Sequence, residues 1–407
     1  MPHSAPLTSL HRHRQRRDRL ATALITAGGI GVLLAVVAIG VFLVVGVVPL
    51  FFAGLDAAGP GLELSALWQP QPYAGGEAEY RWLPHRLESG GEAHISLVPL
   101  AWGTLEAAFW ALAVAIPLAL GAAAHSSLFM SPRLRARVRP TLELMEAMPS
   151  VVLGFIAGLL LGPWVERHLA SVVSLAVVLP SGVLIVGALR GYLPLAWHRW
   201  LSLRWAGVWL MPWLIALIAF SLWVTPLWQQ VLFDGDLRGF VESRYGLDLQ
   251  ARNALVVGAA MGFAVMPGIY ALAEDALSGV PTTLAEGAQA MGATRWQTLT
   301  RVMLPVALPG IFSALMIGAG RAVGETMIVL MASGNTALMT ASPLDGLRSL
   351  AASIAIELPE AGPGGDHYRL LLVAALALFV FTFLVNTLAE AVRARLGNRL
   401  ARLGAQT

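Results

Sequence analysis

The stretch from Glu286 to Thr326 reads EGAQAMGATRWQTLTRVMLPVALPGIFSALMIGAGRAVGET. It begins with a polar double turn, continues through a pair of prolines, and ends in an apolar segment that contains an arginine and a glutamate. An ionisable residue inside an apolar segment is costly in a bilayer and by default indicates a functional site. We therefore interpret the rest of the chain as a membrane scaffold that positions this stretch.

The composition indicates that lipid is the solvent for most of the chain. The 407 residues are 57% hydrophobic and only 13% charged, whereas soluble domains contain about 25% charged residues. The absence of cysteine excludes disulfides and thiolate metal sites. All 27 positive charges are arginine, so the chain has no P-loop lysine and cannot itself be a Walker-type ATPase. The formal charge of +3 is too small to indicate a nucleic-acid partner.

Eight apolar runs predict an all-α, polytopic transmembrane bundle, since each is close to the roughly 20 residues that a helix needs to cross the hydrocarbon core. With the N-terminus inside, eight spans place both termini in the cytoplasm. Most of the arginines then lie on the cytoplasmic side, in agreement with the positive-inside rule. The predicted spans are Ala21–Phe52, Leu97–Ala124, Leu144–Leu161, Val172–Leu189, Gly207–Leu227, Ala254–Ala273, Val306–Ala332 and Leu370–Ala391.

These spans divide the chain into four parts. Residues 1–20 form a basic cytoplasmic tail, disordered or lying on the membrane surface, and residues 21–96 contain the first span and an outer aqueous loop. Residues 97–392 form the main transmembrane domain, which includes a cytoplasmic loop at 275–305 and an extra helical hairpin around 167–249. Residues 393–407 form a second basic cytoplasmic tail. The basic stretches Arg133–Pro140 and Arg190–Arg204 are predicted to be cytoplasmic loops.

Two short helices are predicted in the cytoplasmic loop. Thr283–Glu286 and Thr294–Gln297 each fit a capping box, Gly292 is placed to end the first helix, and Pro305 is expected to stop the second. Leu284, Ala288 and Met291 share one small apolar face. Spacing alone leaves two interpretations open: the loop docks into a groove of a partner, or it is an ordinary amphipathic loop.

Arg321 and Glu325 are four residues apart and are therefore expected on one helix face. Arg321 offers a fixed positive charge and a planar fork of donors to a passing oxyanion. Glu325 is expected to hold the guanidinium and to keep the anion from binding too tightly to leave. The alternative is a self-neutralising pair that only stabilises the bundle. Outside this segment, Glu357 and Glu360 flank Pro359 and predict a solvated acidic loop, with contact to a binding protein as the other possibility.

The cytoplasmic loop resembles the EAA loop of ABC-importer permeases. The resemblance rests on Glu286-Gly-Ala, on Gly292 and on Val302-Met-Leu-Pro, at the family's spacing. In that family the loop is a coupling helix that sits in a cleft of the ATPase subunit. The resemblance assigns the coupling role to Glu286, Gly287, Ala288, Gly292, Leu304 and Pro305, of which Gly287 departs from the usual alanine.

Four segments resemble the phosphate ABC-transporter permeases of the PstC/PstA type, and the last third of the chain is closer to PstC. They are Leu304–Asn335, Met148–Phe155, Ser342–Leu371 and Thr382–Asn386. The resemblance implies that Arg321, Glu325 and Thr326 form the intramembrane motif, and that Ser150 and Gly154 line the pathway. For Ser150, a hydroxyl bonding locally at a helix start is the alternative. The family is usually described with six spans, so eight is a departure.

The resemblance implies a non-catalytic permease subunit of a type I ABC importer in the bacterial inner membrane. Its expected partners are a second permease, a cytoplasmic ATPase dimer that binds the ATP, a periplasmic phosphate-binding protein and membrane lipid. No cofactor of its own, metal or nucleic acid is expected. Three alternatives stay open: a permease for molybdate or sulfate, an ion-coupled secondary transporter, and a membrane protein that senses phosphate without transporting it.

Overall fold

The computed structural model describes residues 7–53, 64–72, 78–84, 94–189, 206–246, 249–337 and 339–404. Two π-helical turns occur among these residues: Ala157–Leu161 joins the helices Ser150–Ile156 and Gly162–Arg167, and Leu299–Met303 joins the helices Arg295–Thr298 and Leu304–Gly324. The α-helices are α1 (Leu7–Ala53), α2 (Val98–Leu128), α3 (Pro132–Glu146), α4 (Ser150–Ile156), α5 (Gly162–Arg167), α6 (Leu169–Leu189), α7 (Ala206–Phe233), α8 (Leu237–Tyr245), α9 (Ala254–Ser278), α10 (Thr282–Ala290), α11 (Arg295–Thr298), α12 (Leu304–Gly324), α13 (Met327–Ala332), α14 (Leu350–Glu357) and α15 (Asp366–Gly404).

Eight helical segments among the described residues are long and apolar enough to span a bilayer. Their number and order confirm the predicted all-α transmembrane bundle. The third span begins at Ser150 rather than Leu144, because Pro149 disfavours helical geometry in the residue before it. The chain is therefore a multi-pass membrane protein, and its division into four parts stays a prediction.

Both basic ends continue the helices beside them. Helix α1 begins at Leu7, so the described part of the N-terminal tail is helical rather than disordered. Helix α15 runs on to Gly404 without a break at residue 393. Arginine and leucine are good helix formers, so these stretches extend the neighbouring spans. The predicted loop Arg190–Arg204 lies outside the described residues.

Helices α2 and α9 form the centre of the bundle. Small residues recur on the face of α2 that meets α9, and each is at most 1% exposed: Ala107, Ala111, Ala115, Ala119 and Ala123. On α9, a Cβ added at Gly258 would lie 2.5 Å from the Cβ of Trp110, and one at Gly262 would lie 2.9 Å from the carbonyl oxygen of Ala111. Small residues allow this close approach, which favours helix association in lipid.

Helices α6 and α7 lie in the region of the predicted extra hairpin and pack mainly on each other. The Thr225 hydroxyl donates to Ser174 Oγ (2.9 Å), and Trp228 Nε1 donates to the same oxygen (2.7 Å). A buried cluster of Leu169, Ala170, Leu237 and Leu249 lies at one end of the hairpin. The polar seam between two otherwise apolar helices satisfies groups that lipid could not satisfy.

Glu357, which is buried, joins the segment before α2 to the segments on either side of α14. Its carboxylate accepts hydrogen bonds from Trp82 Nε1 (2.9 Å) and His367 Nε2 (2.9 Å), and it pairs with Arg348. Trp82 belongs to one of two short antiparallel strand pairs, Gln71–Pro72 with Ala78–Glu79 and Trp82–Leu83 with His94–Ile95. The prediction of a solvated loop was wrong for Glu357, because a buried carboxylate is stable when several donors meet it.

Candidate functional site

Helix α3 leads into the third span, where the sequence predicted a basic loop. Ser131 caps it by accepting a hydrogen bond from the Leu134 amide, and Pro132 occupies its first turn. Both are ordinary helix-start signals. The loop prediction was wrong because it was based on charge, and arginines on an exposed helix face are as compatible with a helix as with a loop.

Ion pairs fix α3 to the end of α9. Arg139 contacts Glu274 (3.1 Å) and Asp275 (2.8 Å), and Arg135 pairs with Glu274, whose side chain is fully buried. Hydrogen bonds to Glu143 and Asp275 raise the pKa of the Arg139 guanidinium above its usual range. The two arginines therefore neutralise a carboxylate that would be costly to bury alone.

The seventh span is interrupted at Glu325 and Thr326. Helix α12 ends at Gly324, Glu325 has extended backbone angles (φ −69°, ψ 124°), and α13 begins at Met327. The Glu325 carboxylate accepts hydrogen bonds from the amides of Met327 (3.2 Å) and Ile328 (3.4 Å). The expectation that Glu325 shares a helix face with Arg321 was wrong, because Glu325 instead supplies the acceptor for the free amides at the start of α13.

Arg321 forms its ion pair with Glu146, the last residue of α3. Nη1 of Arg321 donates to Oε1 of Glu146 at 2.7 Å, and the two side chains are 38% and 43% exposed. Gly268 of α9 lies beside this pair: a Cβ added there would be 3.0 Å from Glu146 Oε1. Sequence reasoning missed Glu146 because the two residues are 175 positions apart.

Arg321 also lines a cavity of about 410 Å³ between α12 and α15. The cavity contains a second ion pair, Arg393 with Glu390 (3.2 Å), and the amide side chain of Asn386. A guanidinium has five N–H donors. The single hydrogen bond to Glu146 leaves further N–H groups of Arg321 that can donate to an oxyanion. The arrangement is therefore suited to reversible anion binding inside an otherwise apolar span.

The chain leaves helical geometry at two places, before Ser150 and at Glu325–Thr326. Ser150, Gly154 and Thr326 lie at or near these two interruptions. Ser150 begins α4 and is half-buried, and the Thr326 hydroxyl donates to the carbonyl oxygen of Gly324 (3.3 Å). A Cβ at Gly154 would lie 2.9 Å from the carbonyl oxygen of Met327. Gly154 thus allows α4 and α13 to pack closely, and a pathway role for these three residues stays a prediction.

The polar double turn before α12 has the predicted two helices, but only one predicted capping box. In the second box, the Gln297 amide donates to Thr294 Oγ1 (3.2 Å) and the Thr294 amide donates to Gln297 Oε1 (2.9 Å). The first box was wrong, because α10 begins two residues earlier than a cap at Thr283 requires, with Pro281 at its N-cap position. Gly292 follows α10 with φ +91°, which is the left-handed geometry that glycine adopts without strain.

Large apolar side chains project from this double turn into solvent. Met291 is 91% exposed, Trp296 65% and Leu284 45%. Glu286, Gly287 and Ala288 lie on α10 between them. An exposed apolar surface outside the bilayer usually marks a contact with another protein. The sequence indicated Leu284 and Met291, but it did not single out Trp296.

Pro305 does not stop the second helix, contrary to prediction. The π-helical turn Leu299–Met303 precedes it, and the Leu304 amide donates to the carbonyl of Leu299. The wider turn lets the chain enter α12 with Leu304 and Pro305 in its first turn, where a proline needs no amide partner. The double turn is therefore joined to α12 by unbroken helix.

No group of three or more His, Cys, Asp or Glu side chains that could hold a metal ion occurs in the part of the chain that the structure describes.

Comparison with known proteins supports a transport role. The profile of the family described as "binding-protein-dependent transport system inner membrane component" matches residues 115–401. The phosphate transport system permease protein PstC 1 of Mycobacterium bovis is 27% identical over 317 residues, which cover 77% of this chain and 76% of that protein. PstC of Pasteurella multocida is 26% identical over 311 residues, with coverages of 76% and 78%.

Two further likenesses are shorter or more distant. The "Probable ABC transporter permease protein YqgH" of Bacillus subtilis is 36% identical over 120 residues, so the match spans 30% of this chain and only 39% of that protein. The MetNI methionine ABC transporter, solved in inward-facing conformations, has a TM-score of 0.40 and 16% identity, covering 74% of this chain and 95% of that chain.

Proposed function

This chain belongs to the family of binding-protein-dependent transport system inner membrane components, and from that premise we propose that it is the permease subunit of an ATP-driven importer of inorganic phosphate. It forms part of the translocation pathway and has no catalytic activity of its own. ATP is hydrolysed by a separate subunit.

The observation on which the proposal rests is the position of Arg321. An arginine within an apolar span supplies a fixed charge and a donor fork that match a tetrahedral oxyanion. The relatives that cover about three quarters of the chain are named as phosphate transport permeases. The anion would contact Arg321 at the level of the two helix interruptions, with Ser150, Glu325 and Thr326 nearby.

The double turn from Glu286 to Pro305 is the proposed contact with the ATPase. Its exposed Leu284, Met291 and Trp296 would enter a cleft of that subunit. Because unbroken helix joins the turn to α12, a movement of the ATPase would move the helix that bears Arg321.

The complete importer would contain a second, different permease, two copies of the ATPase and an extracytoplasmic phosphate-binding protein. It would lie in the bacterial inner membrane, with both termini of this chain in the cytoplasm. Lipid would cover most of the extra hairpin.

Reconstitution tests the substrate and the energy source together. The chain is inserted into liposomes with its partner permease, ATPase and binding protein, and uptake of [32P]phosphate is measured with and without ATP. We expect ATP-dependent uptake that sulfate and molybdate do not inhibit. Inhibition by either anion indicates another oxyanion permease, uptake without the ATPase indicates a secondary transporter, and no uptake under any condition overturns the transport role.

Gly292 tests the coupling role of the double turn. Gly292→Val forces a β-branched side chain into a left-handed conformation, although the space around it is open. We expect ATP hydrolysis that no longer follows phosphate uptake, measured as the ratio of the two rates. Gly246→Val is the matched control, because that position is equally open and also left-handed (φ +65°) but lies outside the double turn. Equal ratios in both variants and wild type would show that this turn does not couple the subunits.

A further inference from the structure

We propose that Glu146 is a built-in counter-anion, which occupies Arg321 when no substrate is bound and must leave it when the transported oxyanion binds. This inference rests on the proposed function, since it concerns the regulation of the same anion site. Glu146 would then be a positioning residue that sets how tightly the site holds phosphate.

The contact with Arg321 has the geometry of a competing ligand. Oε1 of Glu146 lies 2.7 Å from Nη1 of Arg321, which is the distance of a charge-assisted hydrogen bond. A phosphate oxygen would accept hydrogen bonds from the same N–H donors of Arg321. A carboxylate and a phosphate on one guanidinium repel each other as like charges, so each weakens the binding of the other.

The other carboxylates near Arg321 are already committed elsewhere. Glu325 accepts the amides of Met327 and Ile328, and Glu390 pairs with Arg393. Among the described residues, Glu146 is the carboxylate that is bonded to Arg321. The neutralisation expected of Glu325 from the sequence is therefore assigned by the structure to Glu146.

Glu146 is the last residue of α3, and this helix extends from it to the cytoplasmic end of the bundle. Helix α3 has 15 residues, or about 22 Å at the rise of an α-helix. Arg135 and Arg139, in the first half of α3, pair with Glu274 and Asp275 near the end of α9. Helix α10, which leads into the double turn, begins shortly afterwards at Thr282. A displacement of the turn can thus be transmitted through α9 and α3 to Glu146.

Gly268 leaves space for the Glu146 carboxylate to move towards Arg321 and away from it. A Cβ at this position would lie 3.0 Å from Glu146 Oε1, closer than ordinary van der Waals contact. With glycine there, no side chain of α9 locks Glu146 against Arg321. The side chains of the pair are also more than a third exposed, so the bond is of the modest strength that a substrate can displace.

The test is a direct measurement of phosphate affinity in the assembled permease and ATPase complex in nanodiscs, without the binding protein. Glu146→Gln keeps the shape and removes the charge. We expect the dissociation constant for [32P]phosphate to fall by about three- to tenfold, the change that corresponds to roughly 1 kcal/mol for a partly exposed pair. Glu166→Gln is the matched control, because Glu166 forms a similar partly exposed pair with Arg238 (3.4 Å).

The direction of the change separates this role from a merely structural one. Loss of a structural contact weakens binding or assembly, whereas only loss of a competing anion tightens binding. An unchanged or raised dissociation constant in Glu146→Gln, with wild-type binding and uptake intact, overturns the inference and leaves the proposed function standing. Absence of phosphate binding and uptake in the wild type overturns the proposed function itself.

A shorter carboxylate provides the second variant if Glu146→Gln assembles poorly. Glu146→Asp keeps the charge but withdraws it from Arg321 by one methylene. We expect a smaller decrease of the dissociation constant, of about two- to threefold. A dissociation constant equal to or above that of the wild type overturns the inference here too.

Discussion

The α2–α9 pair and the α4–α13 pair are both packed through small residues, yet only the first is made of unbroken helices. Helices α2 and α9 stay helical through Pro117 and Pro267. Helices α4 and α13 each begin at an interruption, after Pro149 and after Thr326. Close packing of whole helices gives a rigid support, whereas close packing next to two interruptions positions irregular backbone that only other protein groups can satisfy.

The Arg321–Glu146 ion pair follows the same division. Arg321 and Glu146 stand at or near the ends of the helices that precede the interruptions. The packed face of α2 contains alanines instead. We therefore regard α2–α9 as the supporting pair and α4–α13, with the ends of α3 and α12, as the working pair. Four substitutions test this division.

The largest effect is expected from Arg321→Ala in the working pair. Removing the guanidinium of α12 that attracts the anion should lower ATP-dependent phosphate uptake by about 30-fold or more. The amount of assembled complex, measured by size-exclusion chromatography, should stay close to that of the wild type. Arg238→Ala is the control. Arg238 also pairs with a glutamate, Glu166, but it belongs to α8 rather than to α12. Normal uptake by Arg321→Ala would remove the arginine from the pathway.

Gly158→Ala should give the next largest effect. Its new Cβ would lie 2.3 Å from the carbonyl oxygen of Met331, so α13 must move away from the π-helical turn that follows α4. Because small misplacements at a working site are expensive, we expect uptake per assembled complex to fall by about tenfold or more. Uptake equal to that of the wild type would show that the α4–α13 contact is only structural.

Gly262→Ala in the supporting pair should change stability rather than transport. Its Cβ would lie 2.9 Å from both the Ala111 carbonyl oxygen and the Val114 Cβ. Overpacking of this kind costs about 1–3 kcal/mol, measurable as a lower midpoint of thermal unfolding. Uptake per assembled complex should stay within about twofold of the wild type. A loss of uptake as large as that of Gly158→Ala, with unchanged stability, would erase the division between the pairs.

Gly121→Ala should have the smallest effect. Gly121 lies on the exposed side of α2, and no atom lies within 4 Å of its added Cβ. Alanine is the better helix former by up to about 1 kcal/mol, so the unfolding midpoint should rise slightly while uptake is unchanged. A destabilised variant would indicate that this side of α2 contacts a partner subunit.

The sequence predicted the spans well because hydropathy and length determine them directly. It failed where a helix start or a helix break depends on a few residues. Helix α3 was read as a loop from its arginines, although Ser131 and Pro132 supply its start signals. No proline precedes the helix break at Glu325, so the sequence did not indicate it. Pro305 causes no helix break, because a π-helical turn precedes it.

The candidate site was predictable only in part, for the same physical reason. Arg321 is conspicuous in a single apolar segment, so one residue type in one place was enough to find it. Its partner Glu146 is 175 residues away, and nothing local distinguishes it from Glu143. Glu357 was likewise read as solvated, since one donor, Trp82, is 275 residues away and the other two, Arg348 and His367, lie outside its own helix.

Both interrupted spans contain a π-helical turn, and that feature has a mechanical meaning. Such a turn is an α-helical turn with one surplus residue. Moving the surplus residue along the helix would rotate the residues that it passes by about 100° and shift them by about 1.5 Å. The turn Leu299–Met303 lies between the short helices α10 and α11 on one side and Arg321 on the other. A surplus residue that moved from Leu299–Met303 to the interruption at Glu325 would pass Arg321 and turn it relative to Glu146, with each hydrogen bond that opens on one side of the surplus residue replaced by one on the other.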